Sequence, residues 1–417
     1  MPRRTTTGLA HVATASFLAS RATPTGGFAV ALAGGVALAR AAQRFGARHG
    51  FGASLAAMLQ TVAIMGPARI TVPLTQAVSA PVLGGMVARG RGRSALLAAT
   101  FAMRAAQNAV STLFYVTVIV GLEAFTGTYE RLFNWVPILP NDQTGAIIGA
   151  AIMFVGWAVA ASVVQVLVYQ RGLERWPADP PAPEVVDDGI RPAAPAAAAP
   201  SGGAGLAERG IRFDPRAVLL AAMVAFTILL TGTWWPMLAA ITAWLAVASL
   251  LARGDRSAIK PGLALTGVLA FGALTAGLIG GIGLELTLRR TLRAALLVLV
   301  ATWLRYAAGE DGLREVFRRL LHRFDRIPSL RETADVLDGL GSTDGLAASG
   351  RRLVARLKGV EPDPIPVTDA VLDWVAGEAG RHDPAEHVAH PALRARTRDA
   401  LLVALAAACA LALPLAA

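Results

Sequence analysis

The chain has 417 residues, of which 54% are hydrophobic and 16% charged, and its mean hydropathy is +0.52. An ordinary globular domain is about 45–50% apolar and about 25% charged, so this composition argues against a water-soluble fold, and Ala/Leu-rich runs without alternation argue against an outer-membrane barrel. The net charge of +11 sits in arginines beside apolar runs, as at Arg89, Arg91, Arg93, Arg253 and Arg256; that is the positive-inside pattern, not the basic stripe with interleaved aromatics of a nucleic-acid binder.

Taken in order, the chain reads as an all-α, multi-pass helical membrane protein of about 9–10 spans. The N-terminus carries Arg3-Arg4 and a weak apolar patch from Leu9 to Leu18, broken by His11, Thr14 and Ser16. It is expected to be cytoplasmic or interfacial. Residues 26–42, 51–66 and 69–88 are the first membrane candidates, the last kinked by Pro73 and Pro81. Residues 95–122 and 144–169 follow, separated by an acidic loop with Glu123, Glu130, Asp142, Phe133 and Trp135, the expected outer interface. These residues, 1–176, form a first membrane module.

Residues 177–210 are rich in Pro, Ala and Gly and cannot bury enough apolar surface to offset their ordering entropy, so a disordered linker is expected. A second module of four spans covers 211–305. Asp214 and Pro215 start it as N-cap and first helical residue. The run 217–251 breaks at Thr231 to Pro236, which predicts a hairpin with Trp234 and Trp235 at the outer interface. Gly277 and Gly281 mark a close-packing face on 262–284, and 286–305 returns inward. Residues 306–398 turn polar and are expected in the cytoplasm. There Leu313, Val316, Phe317, Leu320, Leu321 and Phe324 form one face of a basic amphipathic helix. Residues 399–417 end the chain as a terminal hydrophobic segment.

Polar side chains inside apolar segments are expensive in lipid and mark candidate sites. Arg104 shares a helical face with Thr100, Gln107, Asn108 and Ser111. Arg69, Thr71, Thr75, Gln76 and Ser79 follow the Gly66-Pro67 break, and broken helices with polar groups line substrate sites in transporters. The candidate pathway for an anionic or polar solute is therefore Arg104, Gln107, Asn108, Ser111, Arg69 and Gln76. The alternative for Arg104 is a structural hydrogen-bond cluster or snorkelling to the interface. Gln60 and Gln165 read as packing contacts. His382, Asp383, Glu386, His387 and His390 cluster where Pro384 and Pro391 disturb a helix and read as a solvated loop, with a metal site as the alternative. No catalytic motif and no phosphate-binding loop occurs. Neither enzymatic activity nor a cofactor is expected, a membrane-embedded enzyme acting on a lipid or polyprenyl substrate being the third reading, and any ATP-driven work falls to another chain. Cys409 is the only cysteine, so no intrachain disulfide forms.

Three features together resemble the transmembrane coupling (T) component of energy-coupling factor importers. They are the Asp214-Pro215-Arg216 start, the helix opening Leu288-Arg289-Arg290 with Leu292-Arg293, and the amphipathic run from Asp311 to Phe324. The resemblance covers residues 213–330. It implies a plasma-membrane transport component that joins separate ABC-type ATPases and a substrate-binding membrane subunit for vitamin or metal-ion uptake. Partner docking would fall on Arg314, Arg318, Arg319, Arg351, Arg352 and Arg356. Val218 and Leu219 stand where that family often has a lysine, and 327–395 is polar where it usually has another span. The competing expectation is a membrane scaffold that docks a partner or anionic lipid through the basic amphipathic helix.

Overall fold

The computed structural model describes residues 2–21, 27–69, 71–133, 142–176, 212–340, 343–361, 363–381, 393 and 395–412. The expected linker at 177–210 and the cluster from His382 to His390 lie outside these residues, as does Trp135.

Every element among the described residues is helical. The first seven are α1 (Pro2–Ala19), α2 (Gly27–Phe45), α3 (Ala47–Met65), α4 (Thr71–Ala88), α5 (Arg93–Phe114), α6 (Leu122–Phe133) and α7 (Gln143–Arg175). Then come α8 (Pro215–Thr231), α9 (Trp235–Leu251), α10 (Ile259–Gly280) and α11 (Leu284–Ala308). The last five are α12 (Glu310–His322), α13 (Pro328–Gly339), α14 (Thr343–Leu357), α15 (Pro364–Arg381) and α16 (Thr397–Ala408). Local chemistry sets several of the ends. The Asp142 carboxylate accepts from the Gly145 N–H at 2.8 Å and starts α7. Asp214 caps α8 at the Arg216 N–H, 2.9 Å away, with Pro215 in the first turn.

Three helical stretches are long and apolar enough to cross a membrane: Ile147–Arg175, Arg256–Gly280 and Leu284–Ala308. A fourth arises if Arg93–Val120 and Leu122–Leu132 count as one bent span. The roughly ten apolar segments of the sequence thus give three or four such helices. The two helices of the expected hairpin, α8 and α9, have 17 residues each, about 26 Å of rise. On α7 the large apolar side chains point outward, among them Ile152, Met153 and Trp157. An apolar exterior of this kind needs lipid or a partner to cover it.

Residues 95–122 are not one straight helix. α5 passes into a π-helical turn at Tyr115–Val120, then bends by 103° at Gly121 into α6. Gly121 has φ +91°, and a Cβ there would meet the Arg290 guanidinium at 1.8 Å, so only glycine fits. Arg290 donates to the Val120 carbonyl at 2.7 Å, and Arg293 to that of Val118. The leucine/arginine opening of α11 therefore caps the carbonyl end of the broken helix.

The apolar side chains form two cores. In the first, α1 lies at the centre, against α2, α3, α13, α14 and α15. This corrects the expectation of an interfacial N-terminus: Leu9 through Phe17 are all buried. Of the polar residues that break its apolar pattern, Thr14 is satisfied within the helix, its hydroxyl donating to the Ala10 carbonyl at 2.9 Å, and His11 reaches Ser349 of α14. α2 is buried almost all round from Val30 to Ala42, the mark of a helix enclosed by protein. The second core joins α8, α9, α11 and α16. α12 lies beside α11, α13 and α3. Its Leu313, Val316 and Leu321 are buried there, while Leu320 and Phe324 stay exposed.

Helix directions follow from three contacts. Trp235 at the start of α9 donates to Glu285 at the start of α11 (3.3 Å), and Tyr306 near the end of α11 donates to the Ala252 carbonyl just past α9 (2.8 Å). So α9 and α11 run the same way. The space beside Gly312, just beyond α11, is filled by Pro215 at the start of α8, so α8 runs the opposite way. One end of this module is thereby charged, and the other carries Trp234 and Trp235 stacked with the Arg289 guanidinium at 5.7 and 5.8 Å.

Candidate functional site

The site with the most unusual chemistry lies between α4, α5 and α7. α4 supplies Gln76 and Ser79, three residues apart and so on one face; α7 supplies Gln165 and Tyr169, four apart and likewise on one face. α5 supplies Arg104. All five are buried, Arg104 at 7% exposure and the two glutamines at 0%. Gly35 of α2 makes room, since a Cβ there would meet the Tyr169 hydroxyl at 1.8 Å.

The hydrogen-bond directions are fixed by one fact: an arginine has no acceptor. Arg104 Nε donates to Gln165 Oε1 at 2.9 Å, so the Gln165 NH2 group must face the other way. It donates to Ser79 Oγ at 2.7 Å and Gln76 Oε1 at 3.2 Å. The Ser79 hydroxyl spends its own proton on the Thr75 carbonyl (2.7 Å), and the Tyr169 hydroxyl donates to Gln76 Oε1 at 2.7 Å. With Gln76 Oε1 accepting twice, Gln76 Nε2 points away from the network. The chain of donation ends with two buried donors that have no partner, Arg104 Nη2 and Gln76 Nε2. Among the described residues no carboxylate forms an ion pair with Arg104; besides Gln165 Oε1, its charge is met by the Phe28 ring, 5.9 Å from its Cζ. The cluster is cationic, rich in donors and short of acceptors. Its chemical complement is an anion or an acceptor-rich polar solute.

The expected site residues separate. Arg104 and Gln76 meet in this network. Gln107 and Asn108 are half-buried and Ser111 is exposed, further along α5 and outside it. Arg69 belongs to a short 3-10 turn at Pro67–Arg69, and its side chain lies outside the described residues. Gln165, read as packing from sequence, is the hub of the network. Tyr169 escaped sequence reasoning; its spacing of four from Gln165, inside the longest apolar helix, was the signal.

A second polar cluster sits at the charged end of α11. Arg305 donates to the Ile64 carbonyl (2.8 Å) and to Asp255 (3.0 Å), and lies 4.0 Å from Glu310. Burial acts to raise the Asp255 carboxyl pKa, but the Ser257 hydrogen bonds and Arg305 outweigh it and hold the group below its ordinary value. On α12, Glu315 accepts from Arg318 (2.8 and 2.9 Å) and Arg319 (2.6 Å). Burial opposes its ionisation, yet these bonds win and its pKa is about 2. A third cluster ties the N-terminal helix to the C-terminal ones. His11 Nε2 lies 3.1 Å from Ser349 Oγ, which donates to Glu378 at 2.8 Å, and Arg352 donates to both partners.

The arginines expected to dock partners are mostly engaged inside the chain. Arg314 donates to the Leu337 and Leu340 carbonyls at 2.7 and 2.5 Å, capping α13. Arg318 and Arg319 hold Glu315, Arg352 holds Glu378, and Arg356 lies 3.8 Å from Asp373. Arg351 is exposed.

Among the described residues no group of histidine, cysteine and acidic side chains has the arrangement to hold a metal ion. Comparison with family models, curated proteins and solved structures gives no match for this chain.

Proposed function

We propose that this protein is a multi-pass component of the plasma membrane that binds a polar, anionic solute at the Arg104 network and takes part in its transport. One observation carries the reading: two fully buried donors, on Arg104 and Gln76, stand without partners in a network that contains no acid. An unpartnered buried cation is costly. Its retention between helices that include two of the longest apolar stretches is what a solute site in a membrane protein requires. Energy coupling through separate ABC-type ATPases and a substrate-binding subunit belongs to the same proposal, on the strength of the T-component resemblance. α12–α15 would then face the cytoplasm. The surface left for an ATPase is the exposed one at the α12–α13 turn, with Arg323 and Arg326, together with Arg351.

A non-transport scaffold is the second reading. Leu320, Phe324 and Ile327 are each about half exposed beside Arg323 and Arg326, a combination that suits anionic lipid or a partner helix. Reconstitution separates the two. Proteoliposomes of the wild-type protein should accumulate or release a test anion, and Arg104→Gln should abolish the flux while keeping the melting temperature. Co-purification of an ATPase that is lost on combined charge reversal at Arg323, Arg326 and Arg351 would support coupling. Flux that is equal in wild-type and Arg104→Gln protein would remove the transport reading.

A further inference from the structure

A groove of about 440 Å³ runs between α9 and α16, away from the Arg104 network. This is within the range of small-molecule sites, about 300–1,000 Å³. Its walls are Ala240, Ala243, Trp244, Leu405 and Cys409 with neighbouring apolar side chains, and among the described residues its one charged lining residue is Arg398. The direction of the groove follows from the fold. The Asp214 N–H at the start of α8 donates to Asp399 at the start of α16, 2.9 Å away, so Arg398 lies at the charged end of the module, where α9 finishes. From there the groove descends along α16 past Leu405 to Cys409 without meeting another charge.

Among the described residues the charge at the mouth has no ion-pair partner. Asp399 has both oxygens engaged by backbone N–H groups, of Asp214 at 2.9 Å and Arg396 at 2.7 Å. Asp214 is bound by Arg216 at 2.9 Å. Arg398 donates through Nη2 to the Arg212 carbonyl at 2.6 Å, and its buried Nε has no partner. The groove opens on a surface that is itself apolar, with Leu250 84% and Leu401 58% exposed.

We infer that this groove is a binding site for one anionic phospholipid, with an acyl chain along α9 and α16 and the phosphate at Arg398. A cation at the charged end, a slot of carbon below it and an apolar rim match that molecule in order and in polarity. The inference rests on the membrane reading of this module but is independent of the Arg104 site.

Cys409 is the only cysteine in the chain, is 7% exposed and lines the groove, so its labelling reports occupancy. The test uses the full-length protein purified in detergent, delipidated, and treated with a small maleimide in the presence of phosphatidylglycerol or phosphatidylcholine. Phosphatidylglycerol should slow labelling at about fivefold lower concentration than phosphatidylcholine, the preference expected of one cationic side chain. Arg398→Gln should erase that preference and keep the protection. Because Arg398 also holds the Arg212 carbonyl, a second variant leaves it in place: Ala243→Phe fills the slot and should make labelling insensitive to lipid, with native mass spectrometry showing loss of the retained phospholipid. Labelling that no lipid slows would overturn the inference, as would equal protection by both lipids. So would a protected Cys409 in a lipid-free dimer, which would place a second copy in the groove. Extraction of the protein without detergent would instead remove the membrane reading itself.

Discussion

Arginine does two different jobs in two regions of this molecule. At the charged end of α11 and along α12, the guanidiniums meet carboxylates or carbonyls: buried Arg305 meets Asp255 and the Ile64 carbonyl, half-buried Arg318 and exposed Arg319 meet Glu315, and Arg314 caps α13. Between α4, α5 and α7, Arg104 is as deeply buried but donates to a single glutamine oxygen and finds no acid among the described residues. The difference separates the cations that build the fold from the one to which the proposed function assigns a ligand. A paired buried charge is a clamp whose loss strands its partner. A buried charge left without a counter-ion weakens the folded state until something anionic arrives.

The contrast is broken most severely at Arg305. Arg305→Met leaves the Ile64 carbonyl without its donor and removes the cation shared by Asp255 and Glu310, and should lower the unfolding free energy by about 3–5 kcal/mol, read as a drop in melting temperature in detergent. Gly121→Ala comes next. It displaces the Arg290 guanidinium and forces alanine into a left-handed backbone, for a loss of about 1–3 kcal/mol; a variant that melts like wild type would mean that the bend does not depend on the arginine caps. Tyr169→Phe removes one donor to an oxygen that keeps a second, so about 1 kcal/mol is expected. Arg104→Gln should change stability by less than about 1 kcal/mol in anion-free buffer, because the lost bond to Gln165 is offset by removal of an unpaired cation. A loss as large as that at Arg305 would make Arg104 a clamp as well and dissolve the comparison.

The paired region also carries a pH signature. Glu315, at about 2 in the folded chain, has an unfolded value of about 4.3. Its folded pKa is depressed, so its contribution is complete above about pH 4.3 and is lost as the pH falls toward 2. Glu378 is lowered also: burial acts to raise it, and its hydrogen bonds from Arg352 and Ser349 prevail, so it acts in the same sense. Melting temperature followed from pH 5 to pH 3 should fall less steeply in Glu315→Gln than in wild type, by the smallest margin of these tests.

Much of the architecture was legible in the residues. The all-helical class, the long helices at 144–169, 262–284 and 286–305, and the break at Thr231 to Pro236 follow from apolar length, caps and proline, which act locally. α1 was misread because its polar residues look, in sequence, like an exposed segment, whereas Thr14 bonds its own helix and His11 a residue 338 positions away. The bend at Gly121 was hidden because its cause is distant: two arginines of α11 satisfy carbonyls 170 and 175 residues away. Likewise Leu313, Val316 and Leu321 announced an amphipathic helix, but not that these three would be covered within the chain while Leu320 and Phe324 stay exposed. For the site, Arg104 and Gln76 were legible as misplaced polarity. Their assembly through Gln165 and Tyr169 was not, because it depends on how α4, α5 and α7 meet.

The most direct test of the account is anion-dependent stability of the purified full-length protein, compared between wild type and Arg104→Gln. The melting temperature of the wild type should rise with a small oxyanion such as phosphate or acetate, approaching about 2.7 kcal/mol of stabilisation at a hundredfold excess over Kd. Arg104→Gln should lose that response, and Arg351→Glu, exposed on α14, should retain it. If wild type and Arg104→Gln respond alike to every anion tried, Arg104 is only a structural residue and the proposed solute site is wrong.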